Sequence, residues 1–135
     1  MKYLLPALIL VSTPVIAQPQ ALYNRCMRTA ITQLALDLCA SQEAARSDQE
    51  LNDVYRKLLS EIGDQHDVTA KVMAMERVWI AYRDQYMAAM YPAKDKQAEY
   101  GSMYPMEADI LLAKLTREHV NALKSLLRQY GPADR

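Results

Sequence analysis

Apolar residues recur at Val68, Val72, Met75, Trp79, Tyr82 and Tyr86, in steps of four and three, within a stretch from Val68 to Met90 that holds neither Gly nor Pro. That period places them on one face of a helix. The unbroken stripe, with the chain's one Trp in its middle, predicts that this helix is the element on which the rest is folded. A second stripe, Leu51, Val54, Tyr55, Leu58, Leu59 and Ile62, predicts a helix from about Asp37 to Ile62, ended by Gly63-Asp64. So short a linker makes the two helices antiparallel neighbours, with Asp67 available to cap the second of them. A third stripe, Ala108, Leu111, Leu112, Leu115, Leu123, Leu126, Leu127 and Tyr130, predicts a last helix. Ser102 is placed to cap it, Pro105 fits only its first turn, and Gly131-Pro132 stops it. The polar run from Tyr91-Pro92 to Gly101, with Lys94, Asp95, Lys96 and Glu99, predicts an exposed loop.

Strand-like alternation is absent at useful length, and helix formers dominate. The expected fold class is all-α: a bundle of three long antiparallel helices with a short N-terminal helix tied on by a disulfide. The front of the chain changes the picture of where it works. Lys2, an apolar run from Tyr3 to Val15 and the small-residue end Val15-Ile16-Ala17 have the form of a signal peptide. The run is too short for a mature membrane anchor. The expectation is a signal peptide at residues 1–17 and a single helical domain at 18–135, periplasmic or secreted, with no membrane anchor after cleavage.

Export makes a Cys26–Cys39 disulfide the default, two buried free thiols being the alternative. On one straight helix the two would lie ~20 Å apart at 1.5 Å per residue, whereas a disulfide needs Cα atoms within about 7 Å. If they pair, the chain must turn between them. That places a short helix at about residues 21–33 and a new start near Asp37, whose side chain can cap.

Sixteen basic and sixteen acidic residues leave the chain neutral, and no basic run invites nucleic acid. Catalysis finds no foothold. His66 lies in a turn, His119 on the last helix, no Ser or Cys has a nucleophile's context, and the carboxylates are spread along solvated faces. The chain is expected to be no enzyme and to carry no cofactor. Methionine offers one alternative chemistry. Met87-x-x-Met90 and Met103-x-x-Met106 set soft thioethers at both ends of the polar loop, a pattern suited to Cu(I), although Met also fills irregular gaps. Trp79 and Tyr82 are expected in the core. Asn52, beside the packed face, needs partners, and Asp48 and Arg83 across the hairpin are the candidates for a clasp that fixes register.

The motifs have a recognisable order: Cys39, Asp48-x-x-Leu51-Asn52-x-x-Tyr55, Trp79-x-x-Tyr82-Arg83-Asp84, Gly101-Ser102, and Leu115-Thr116-Arg117-Glu118. In that order and spacing, from about Cys26 to Leu127, the chain resembles the LprI-type lysozyme-inhibitor family. The resemblance implies an exported α-helical domain that binds lysozyme or another cell-wall hydrolase. Where that family pattern usually has a third and a fourth Cys, this chain has Met87 and Leu111, and its usual basic residue after Thr-Arg-Glu is His119. Lysozymes are often cationic, so an inhibitor gains from an acidic face. Glu43, Glu50 and Asp53 on the outer side of the second helix, with Asp95 and Glu99 in the loop, are the expected partner-binding residues.

Overall fold

The computed structural model describes residues 19–131. The expected signal peptide and the Pro132 stop lie outside them. Five helices follow in order: α1 Pro19–Thr29, α2 Gln33–Ile62, α3 His66–Met90, α4 Lys96–Tyr100 and α5 Tyr104–Tyr130. The fold is all-α, as the three stripes predict, and Cys26 is bonded to Cys39 with their Cα atoms 5.7 Å apart.

The turn that lets the cysteines meet comes earlier than expected. Thr32, in an extended conformation, accepts a hydrogen bond at its side chain from the Ala35 N–H, 3.2 Å away, and so caps α2. Asp37 does not cap. It lies in the first turns of α2 and accepts from Gln33 Nε2 at 2.8 Å. Removing the bond with Cys26→Ser and Cys39→Ser should lower stability by about 3 kcal/mol on the chain-entropy account of so short a loop. Thermal unfolding of parent and variant checks this; equal midpoints would mean that packing alone holds α1.

Glycine decides the end of α2. Gly63 takes φ 59°, a left-handed turn that residues with a Cβ rarely adopt, and its N–H reaches the Leu59 carbonyl. Three residues later α3 begins and returns antiparallel. Neither expected cap is used in α3 or α5. Gln65 and Met103 hold those positions with no side-chain hydrogen bond to the helix N–H groups, Asp67 sits in the first turn of α3, and Pro105 enters the first turn of α5.

The stretch expected to be an exposed loop contains α4. Asp95 caps it by accepting from the Ala98 N–H at 2.9 Å. The Lys96 ammonium donates to the carbonyls of Tyr91 and Ala93, and the Tyr100 hydroxyl accepts from the Ala93 N–H. Tyr91 meets Tyr100 and Tyr104 edge to face, at 5.3 and 5.0 Å between centroids. This corner is a built structure.

The main correction concerns which helices make the core. α3 is not the organiser: the most extensive interface is α2 against α5. Leu51, Leu58 and Ile62 of α2 pack with Val120 and Leu123 of α5, and α3 contributes Val72 to that buried cluster. Val68, Met75 and Trp79 pack against it half-buried. Past Trp79 the stripe loses its partners. Tyr82 is 55% exposed, and Tyr86 and Met90 are exposed as well. The core therefore occupies the end of the bundle where α2 turns into α3.

Candidate functional site

Two charged clusters flank that core. In the first, Glu43 of α2 is 2% exposed and is held by Arg46 on its own helix and Arg117 of α5. A carboxylate this deeply buried is tolerable only with such partners. Seven residues further along each helix, Glu50 meets Lys124. Both interhelical pairs join residues 74 positions apart. A constant offset means that α2 and α5 run parallel, as the first and third members of an up-down-up bundle must. Burial is the chief cause that raises the Tyr23 pKa, with Glu43 adding to it and Arg117 opposing, which places α1 over this seam.

In the second cluster, Glu76 of α3 and His119 of α5 are both buried, with His119 Nε2 2.7 Å from the Glu76 carboxylate. A carboxylate can only accept there, so Nε2 carries the hydrogen. The imidazole stacks flat on Trp79, 4.1 Å between centroids and 4° between planes. The Arg83 guanidinium lies over the same indole at 5.3 Å. Tyr55 adjoins this group: burial first and Glu76 second push its hydroxyl pKa up. Sequence reasoning missed the pair. The signal was available, since Glu76 lies four residues past Val72 and three before Trp79, on the apolar stripe itself.

Between the clusters a crevice of about 180 Å³ opens where α2, α3 and α5 meet. Ala44, Ala45 and Asp48 line it from α2, Arg83 from α3, and Leu112 and Thr116 from α5. Asp48, Arg83 and Thr116, which belong to three separate motifs of the sequence, thus share one site. One turn beyond, Asp109 of α5 is close enough to Asp37 of α2 to feel its charge. Burial chiefly, and Asp37 second, raise the Asp109 pKa above its ordinary 3.8. A raised carboxyl favours the fold when protonated and costs stability as pH rises through it. Asp109→Asn should therefore raise the melting temperature at pH 7 and leave it unchanged near pH 3. An equal rise at both would trace the effect to packing.

Not every expected site residue joins this arrangement. Asn52 is exposed and donates to the Asp48 carbonyl at 3.0 Å and to its carboxylate at 3.3 Å. Arg83 does not complete that clasp; it binds Asp84 beside it, at 2.8 and 2.9 Å. Leu51 and Leu115 are buried, Leu115 outside the main cluster. Glu43 cannot greet a partner from inside the α2–α5 seam, and Glu50 is half-buried against Lys124. Asp53 is exposed but paired with Arg56, and Asp95 is occupied as the α4 cap, leaving Glu99 exposed beside it. The four methionines do not form one open face: Met106 is buried, Met87 half-buried, and Met90 and Met103 exposed. Met87 and Leu111 are each half-buried. Among the described residues no group of three or more His, Cys, Asp or Glu could hold a metal ion, and no helix is long and apolar enough to cross a membrane.

Residues 26–123 match the family described as lysozyme inhibitor LprI. The chain is also 35% identical over 112 residues to an uncharacterized protein of Rhizobium meliloti (strain 1021), an alignment covering 74% of this chain and 77% of that one. No solved structure matches it.

Proposed function

Because the chain belongs to the lysozyme inhibitor LprI family, we propose that it is an exported, non-enzymatic binding protein that inhibits a lysozyme or another cell-wall hydrolase. The observation that carries the reading is the shared crevice: Asp48, Arg83 and Thr116, from three motifs far apart in sequence, line one opening on the surface. The Cys26–Cys39 bond supports an oxidising compartment, in keeping with a leader at residues 1–17 and a periplasmic or secreted location.

Glu76 and Arg83, two titratable side chains of α3 near the opening, are engaged in holding the fold together. Glu76 is spent on His119 and Arg83 on Asp84 and Trp79, which suits recognition better than turnover. The test uses residues 18–135, purified with the disulfide intact, in lysis assays on purified cell wall against lysozymes of several classes. Dose-dependent slowing of lysis, with a complex recovered by pull-down, is the expected result. Undiminished lysis by every class would refute inhibition.

A further inference from the structure

Resting on that reading, we infer that the docking surface is the open groove between the N-terminal half of α2 and the C-terminal half of α3, and that it receives a basic segment bearing apolar side chains from a cationic partner protein. The groove follows from where α3 stops packing. Since α3 returns antiparallel from Ile62, its last turns lie level with the first turns of α2. On α3 the stripe continues through Tyr82, Tyr86 and Met90, all exposed, with the two tyrosine rings 5.9 Å apart. On α2, Leu34 and Leu38 are also exposed and share one strip with Ala45, at helical spacing. Two apolar edges thus face an unfilled gap whose closed end is the crevice at Ala44, Asp48, Arg83, Leu112 and Thr116.

Charge selects the occupant. Asp37, Ala44 and Asp48 follow one strip of α2, and Asp109, Leu112 and Thr116 follow one strip of α5, so the carboxylates lie along the floor. Elsewhere in the bundle the buried Glu43 and Glu76 and the half-buried Glu50 each have a basic partner, while half-buried Glu61, at the far end of α2, has none among the described residues. Among the described residues, Asp37, Asp48 and Asp109 have no such ion pair. The one cation lining the crevice, Arg83, is already engaged by Asp84 and by the Trp79 ring. A floor of unneutralised acids between aromatic and aliphatic walls complements a lysine or arginine flanked by apolar side chains. A volume of about 180 Å³, roughly six waters at ~30 Å³ each, has room for one such long side chain. A basic residue there would meet Asp48, with the mutually repelling Asp37 and Asp109 one turn beyond.

The experiment compares the parent with Tyr82→Ala/Tyr86→Ala, which strips a wall, and Asp37→Asn/Asp109→Asn, which discharges the floor. Asp53→Lys on the outer side of α2 is the control. All three change exposed or half-buried residues, and circular dichroism verifies the fold. Against a lysozyme that the parent inhibits, the wall variant should lose at least tenfold in affinity. The floor variant should lose severalfold at low salt and less at high salt, and the control should match the parent. Inhibition unchanged in both groove variants would overturn the groove while leaving lysozyme inhibition standing. If the parent inhibits none, the probe is a synthetic basic amphipathic helical peptide followed by Trp79 fluorescence. Saturable binding that both groove variants weaken supports the surface. No binding, or binding that the variants leave intact, overturns it.

Discussion

Trp79→Ala is expected to cost about 3 kcal/mol, at the low end for a large aromatic because the residue is only half-buried. For a domain of this size that corresponds to a melting temperature lower by roughly 10 °C. The indole is the lid over the Glu76–His119 pair: the imidazole lies flat on it, and Arg83 covers it from the next turn. Its loss removes packing against the core and lets water reach a hydrogen bond now sheltered. Trp79→Phe keeps a flat ring in place and should recover most of the loss. Thermal melts of the two variants decide the point. If both melt with the parent, the stack contributes nothing.

The joint change Arg46→Ala and Arg117→Ala should be at least as damaging, about 3–5 kcal/mol. Either substitution alone leaves Glu43 one guanidinium. Together they strand a carboxylate that is 2% exposed, between helices too closely packed to admit a full hydration shell. Adding Glu43→Leu to the double variant should restore much of the stability, since an apolar side chain needs no partner there. Denaturant unfolding of the single, double and triple variants tests this. A triple variant no better than the double would place the cost in lost arginine packing instead.

The three long helices were legible because the apolar period is unambiguous over three long stretches without Gly or Pro, whereas the short α4 in the polar run was not. Partnership was not. A stripe says which face is apolar and nothing about how far its neighbour extends, so the run from Val68 to Tyr86 looked equally buried throughout. In fact it meets α2 and α5 up to Trp79 and faces open space after it. The same blindness put Glu43 on an outer surface. Acids at helical spacing look solvated until a partner 74 residues away is known to lie alongside. Short-range chemistry misled in smaller ways. Ser102 and Asp67 are good caps by residue type, but Thr32 and Asp95 are the caps used, because the path of the chain decides which side chain meets a free N–H. Of the candidate site, the motif residues were visible in sequence. That Asp48, Arg83 and Thr116 converge was not, since convergence depends on α5 lying parallel to α2.

That parallel pairing also bears on how fast the molecule can form. A helix hairpin such as α2–α3 closes over a few residues, but here it is the weaker contact. The dominant interface joins segments 74 residues apart, between four and five doublings of loop length beyond the short α2–α3 link and so about 3 kcal/mol of added closure entropy. Before α5 arrives, α2 has only its smaller interfaces with α1 and α3. Collapse should wait for the last helix and then run to completion in one step, slower than in a bundle whose strongest contacts are local. A chain cut short before Leu123 would have no native state to reach.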